Sequence, residues 1–221
     1  MENLENKHEN VPSRITYSSL FWLFMFGSVI GFILEGIWCI LKGQGWENHS
    51  ATVWGPFCIV YGIGAVALYL VATFIKNRSL PIQLIVCGVI GSAVEYFSSL
   101  FQELCFGSTS WNYSKQFMNI GGRVSLKMTL IWGMLGIFFI KWLYPTIYRI
   151  LGKMDSKAWD ISCILLTVFM VINLSLTSLA VIRWRERLES VPASGAVDEF
   201  LDEYYDNEEM SEIFSNMVFS T

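Results

Sequence analysis

Five long stretches of the chain are apolar and almost free of charge, and short polar segments separate them. They run approximately over 17–41, 54–75, 80–106, 125–151 and 158–184. A helix needs about 20 apolar residues to cross about 30 Å of hydrocarbon, so each stretch predicts a transmembrane helix. In lipid each segment must also close its own backbone hydrogen bonds. The expected fold class is therefore all-α: a polytopic membrane helical bundle of about five transmembrane helices, with a short acidic C-terminal tail. The expected organisation is a polar N-terminal segment (1–16), a transmembrane helical domain (17–184), and a linker with an acidic amphipathic tail (185–221). The first stretch is longer than the 7–15 residues of a signal-peptide core and no small-residue cleavage site follows it, so it is expected to remain as an anchor.

Composition agrees with this pattern: 53% of the 221 residues are hydrophobic and 15% charged. The net charge of -4 hides a division. Eight of the 19 acids lie in residues 190–221, which hold no Lys or Arg, so residues 1–189 carry 15 basic and 11 acidic groups, a net of +4. A nucleic-acid footprint and a disulfide scaffold are excluded. The five cysteines are scattered through apolar runs without a CxxC pair and read as packing residues. His8 and His49 are far apart, so no metal site is expected and His49 reads as a solvated loop residue. No cofactor is expected either. Flanking Lys and Arg residues divide seven against seven between the two faces; only Lys141, able to snorkel toward the 149–157 side, tilts the count toward an N-terminus-inside orientation. The expected location is the cell membrane, multi-pass.

Ionisable groups inside spans are costly and mark candidate functional positions. Glu35 lies near the end of the first span, Glu95 near the middle of the third, and Glu103 near that span's end. The first and third spans end on the same face, where Arg123 and Lys127 also emerge. This places three carboxylates opposite two cations under the 107–124 loop. Two readings stand side by side: a substrate or ion site, open to proton coupling, or buried ion pairs that fix helix register. Asn173, central in the fifth span, is expected to make interhelical hydrogen bonds, and Gly27-x-x-x-Gly31 with Gly88, Gly91 and Ser92 to pack helices closely.

The chain has no phosphate-binding loop, no Gly-x-Ser-x-Gly elbow, no His-Glu-x-x-His pair and no kinase signature. Energy for transport would come from an ATPase partner in trans or an ion gradient. Catalysis would have to rest on the carboxylates, Arg123 and the Tyr113 and Ser114 hydroxyls, a set that names no reaction.

Six strings occur in order: Gly31-Phe32-Ile33-Leu34-Glu35; Gly55-Pro56-Phe57-Cys58-Ile59-Val60-Tyr61-Gly62; Val94-Glu95-Tyr96 with Glu103 and Phe106-Gly107; Trp111-Asn112-Tyr113-Ser114; Asn119-Ile120-Gly121-Gly122-Arg123-Val124; and Trp132-Gly133. Over roughly residues 18–150 they resemble the CmpB-like family of multi-span membrane proteins, labelled type IV ABC-transporter permeases. The resemblance implies a small helical membrane protein with a proposed transport role. The charges in the spans and these strings together give Glu35, Glu95, Glu103, Arg123, Asn119, Tyr113 and Trp111 as candidate substrate- or ion-binding residues, and Gly55, Pro56, Tyr61, Gly62, Gly122, Trp132 and Gly133 as structural motif residues. The family's arginine before the second span is missing from Ser50–Pro56, Ile59 replaces a second proline, and Asn112 stands where the family has an acid.

Gly55-Pro56 reads as the start of the second helix, since proline is tolerated in a first turn. Trp111 and Tyr113 read either as site residues or as interfacial anchors. The Gly121-Gly122-Arg123 turn is expected to aim a guanidinium at Glu35 or Glu103. After the linker at 191–195, the tail's apolar residues recur at helical spacing. It is expected either to dock on a partner or on the protein's own basic loops, meeting Lys115, Arg123 and Lys127, or to stay solvated. The leading functional reading is a permease component for an unidentified solute or lipid. The alternatives are a non-transporting membrane subunit that organises or regulates a partner and, behind it, a membrane enzyme acting on lipid. The bilayer, a regulatory protein or ATPase in trans, and a second copy of the chain are the expected partners; nucleic acid is not.

Overall fold

The computed structural model describes residues 15–43, 45–154 and 156–219. The polar segment over 1–16 lies almost wholly outside them. Helix α1 (Tyr17–Leu41) is capped by Thr16, whose hydroxyl accepts from the Ser19 N–H at 3.2 Å. Helix α2 (Ile59–Ile75) leads by a short turn to α3 (Leu80–Phe106), which carries Pro81 in its first turn and ends on Gly107 at φ +63°. A two-residue strand β1 (Ser108–Thr109) and a folded loop follow. Helix α4 (Leu126–Phe138), capped by the Ser125 hydroxyl on the Met128 N–H, continues through a π turn (Phe139–Leu143) into α5 (Tyr144–Lys153). The π turn precedes Pro145, which has no N–H and would clash with the carbonyl four residues back; the widened turn relieves that clash. Helix α6 (Lys157–Leu188) is the longest element. The tail forms α7 (Ala196–Tyr204), α8 (Asn207–Ile213) and β2 (Val218–Phe219), with β2 antiparallel to β1.

The protein is all-α, and among the described residues four helices are long and apolar enough to cross a membrane: Tyr17–Leu41, Leu80–Phe106, Leu126–Lys153 and Lys157–Leu188. Large apolar side chains cover the outside of these helices, among them Ile33, Ile85, Phe101, Ile164 and Val171, all exposed. In water such a surface would drive aggregation; facing lipid tails it costs nothing.

The second expected span requires correction. Its helix begins at Ile59, not at 54, and runs only 17 residues, about 26 Å. Gly55-Pro56 is not a helix start. Gly55 sits at φ +80°, and residues 51–57 fold as a compact irregular segment. Irregular backbone in a membrane protein survives only where protein groups satisfy it, and here side chains do so. The Ser50 hydroxyl donates to Thr52 O and Gly55 O, and the Thr52 hydroxyl to Trp54 O. From α6, Asn173 accepts from the Trp54 N–H at 3.2 Å and donates to Trp54 O at 2.7 Å, while the Thr177 hydroxyl accepts from the Val53 N–H. Asn173 thus bonds a loop backbone, not another helix, and is fully buried.

The bundle is two close pairs side by side. In the α1/α2 pair a Cβ at Gly27 would come within 2.7 Å of Ala65 Cβ, and Gly31 lies directly against Tyr61. In the α3/α4 pair a Cβ at Gly91 would lie 2.6 Å from Trp132 Cβ, and one at Gly133 2.6 Å from Leu84 O. Small residues let backbones approach where lipid supplies no hydrophobic drive between helices. Helix α6 is held differently: by Trp159 edge-on to Trp22 at 5.0 Å, by Thr167 on Tyr17 at 2.7 Å, by segment 51–57, and by the tail.

Candidate functional site

The loop between β1 and α4 folds over the ends of α1, α2 and α3. Asn119 organises it: its amide donates to Ser114 O and Gln116 O, and its carbonyl accepts from the Gly122 N–H. Gly121 and Gly122 at φ +58° and +69° make the turn, and a Cβ at Gly122 would come within 2.8 Å of Asn112 Oδ1. The turn aims Arg123 at Glu103, where the two form an ion pair, with the guanidinium 5.7 Å above the Tyr96 ring. Of the two expected carboxylate partners, Glu103 is the one engaged.

Glu95, only 5% exposed, is held from two sides. The Tyr113 hydroxyl donates to Oε1 at 2.8 Å and Trp132 Nε1 donates to Oε2 at 3.3 Å. Burial, followed by the Glu95 carboxylate, pushes the Tyr113 phenol up, so it stays a donor. Glu35 receives the Tyr61 hydroxyl at 2.5 Å, and its charge also reaches Tyr113. Two tyrosine–carboxylate pairs therefore stand beside one arginine–carboxylate pair. Lys127 is exposed and, among the described residues, forms no ion pair, so it does not join the cluster.

Trp111 donates from its indole to Arg123 O at 3.0 Å and also lines an apolar cavity of about 930 Å³. Residues of α2, α3 and α6 line the cavity, among them Ile63, Ala93, Phe97 and Leu174, together with the polar Ser110, Gln102 and Asn216. Tyr61 and Trp132, which the sequence marks as structural motif residues, supply donors to the carboxylates; Gly62 and Gly133 supply the close approaches, whereas Gly55 and Pro56 belong to the segment clamped by Asn173.

The tail folds back, but not onto Lys115, Arg123 and Lys127. Asp202 accepts from Arg183 Nη2 at 2.8 Å and from Arg187 Nη1 at 2.7 Å, both at the end of α6. Arg183 is buried, so it needs that carboxylate far more than the exposed Lys115 and Lys127 would, and Arg123 is already engaged by Glu103. Leu201, Tyr205, Met210 and Phe214 pack on Val181 and Trp184, and Trp54 Nε1 donates to the Tyr205 hydroxyl at 3.0 Å. In the sequence Arg183 and Arg187 fall among the flanking charges, and their spacing of four on one helix face is a readable signal.

A second group missed by sequence reasoning is Cys39, Glu47 and His49, whose ligand atoms all lie within 4.8 Å of one another. His49 is half-buried and paired to the tail by a backbone bridge to Phe214, so the expected solvated loop histidine is not what the structure places there.

No curated protein and no solved structure matches the chain. A family model described as "Putative ABC-transporter type IV" matches residues 22–178, which include every helix pair and the whole carboxylate cluster. With four long apolar helices and that match over most of its length, the chain belongs to the CmpB family of transporter-like membrane proteins.

Proposed function

We propose that this protein is the membrane-embedded permease component of a transporter, and that its substrate is an amphiphilic solute or lipid. The apolar body of the substrate occupies the cavity between α2, α3 and α6, and its polar end meets the groups under the 107–125 loop. The observation that carries this reading is the position of Trp111, whose ring lines the cavity while its indole N–H holds the backbone of Arg123. One side chain thus joins the apolar space to the charged cluster. Apolar walls with a few convergent polar groups are what a site for such a molecule needs. Glu95 supports the reading as well, because a nearly buried carboxylate with neutral donors and no cation is a costly feature to keep for packing alone. ATP hydrolysis belongs to a partner chain, consistent with the lack of a phosphate-binding loop in this one.

The test is metabolite and lipid profiling of a deletion strain complemented with wild type, Glu95→Gln or Ala93→Trp. Ala93 lines the cavity, and an indole there protrudes into it. Both variants are expected to reach the membrane and to leave the deletion profile uncorrected. Complementation by both at wild-type level would overturn the proposal.

A further inference from the structure

Cys39 lies in the last turn of α1 and is 4% exposed. The chain turns through Gly43 at φ +77°, and the following loop folds back so that Trp46 packs on Gly36 and Phe32. This return brings Glu47 and His49 over Cys39, with the Cys39 thiol 3.9 Å from Glu47 Oε2. We infer that Cys39, Glu47 and His49 form a binding site for a divalent transition metal of the Zn²⁺ type.

Four observations support the assignment. The donor set is one sulfur, one carboxylate and one imidazole, which suits Zn²⁺ and its relatives and does not suit the oxygen-seeking Mg²⁺ or Ca²⁺. All the ligand atoms lie within 4.8 Å. Ligands around a tetrahedral Zn²⁺ stand about 3.3–3.6 Å apart, given Zn–N and Zn–S bonds of about 2.0 and 2.3 Å. Closing the ring therefore takes about 1 Å of movement, within the reach of two half-buried loop side chains.

The local charge also calls for a cation. Glu35 sits one helical turn before Cys39 on the same face, and among the described residues no Lys or Arg pairs with Glu47. Lys42, whose charge reaches Cys39, lies 5.0 Å over the Trp38 ring and forms no ion pair among the described residues. Finally, the loop is held in place. His49 Nδ1 faces Glu47 O at 3.3 Å, the kind of backbone contact that orients a metal-binding imidazole. Asn48 O accepts from the Ser215 hydroxyl of the tail at 2.6 Å.

Binding replaces the thiol S–H bond with an S–metal bond and releases that proton to water, so it strengthens as pH rises. Three protein ligands leave a fourth position for water or another ligand. The site adjoins the cavity proposed for the amphiphile and shares His49 with its lining.

The experiment uses the full chain in detergent, stripped of metal and titrated with Co²⁺ and Zn²⁺. One equivalent per chain is expected, with a thiolate-to-Co²⁺ charge-transfer absorption. Cys39→Ser abolishes that absorption, Glu47→Gln and His49→Gln each weaken binding at least tenfold, and Cys105→Ser changes nothing. Glu47→Gln alters a half-exposed loop position and does not threaten folding, so it keeps the test decisive if Cys39→Ser yields poorly. Cobalt bound without the thiolate absorption, or equal affinity in wild type and Glu47→Gln, would overturn the assignment. Neither outcome bears on the transport reading, which is tested by Ala93→Trp.

Discussion

Replacing Gly91 by Ala tests whether the α3/α4 pair positions Glu95. The new Cβ would lie 2.6 Å from Trp132 Cβ, about 1 Å inside ordinary contact. Trp132 Cβ is fixed to the α4 backbone, so no rotamer change can move it away, and the helices must separate. Overpacking of this kind costs about 1–3 kcal/mol. Separation also stretches the 3.3 Å bond from Trp132 Nε1 to Glu95, and an interhelical hydrogen bond in a membrane contributes about 0.6 kcal/mol. Against these, Gly to Ala inside a helix gains about 0.5–1 kcal/mol. The expected net destabilisation is about 0.6–3 kcal/mol, read from tryptophan fluorescence during equilibrium unfolding in mixed micelles. Gly152→Ala is the reference, because among the described residues no atom outside its own stretch of helix lies within 4 Å of a Cβ there. Equal stability of the two variants would refute the packing argument, and with it the claim that Trp132 is held rigidly against Glu95.

Asn173→Leu keeps the γ-branched shape of the side chain but leaves the Trp54 N–H without a partner and the Trp54 C=O with the Thr52 hydroxyl alone, so it is expected to cost about 1–3 kcal/mol and to expose segment 51–57 to proteases; unchanged proteolysis would count against the clamp. Gly122→Ala meets both a left-handed backbone and Asn112, and is expected to disorder the cap as strongly as Arg123→Ala, measured by hydrogen exchange over 110–125. The Arg183 guanidinium beside Asp202, helped by Arg187, holds the Asp202 carboxyl at about 2, below its usual 3.8. A lowered native value means the contribution to tail docking is complete above about pH 4 and is lost as pH falls toward 2. Acid should therefore release the tail in wild type, while Asp202→Asn docks weakly at neutral pH and loses that acid step, as followed by limited proteolysis.

The helices were legible because the bilayer imposes a length and a composition that few other structures share. Glu35, Glu95, Glu103 and Arg123 were legible for the same reason, as charges where charge is expensive. Hydropathy is blind to backbone satisfaction, however, so it extended α2 back through Trp54, where Asn173 and Thr177 close the hydrogen bonds that a helix would have closed. The donors to Glu95 and Glu35 are aromatic residues that count as apolar in any such scan, and they were visible only as members of family strings. The Cys39, Glu47 and His49 group was hidden because its members belong to a helix end and a returning loop, and only the turn at Gly43 brings them together.

The way α6 is held bears on biosynthesis. Helices α1 to α5 can settle into their two pairs as they leave the translocation machinery, since each finds its partner among neighbours in sequence. Helix α6 instead depends on residues 51–57, made long before it, and on residues 196–219, made after it. Until the tail emerges, the side of α6 that bears Val181 and Trp184 has only Val53 and Phe106 from earlier in the chain against it and lacks Leu201, Tyr205, Met210 and Phe214. During that interval of translation the last helix is inserted but not locked, and an incomplete chain presents quality-control proteases with a target that the finished protein conceals.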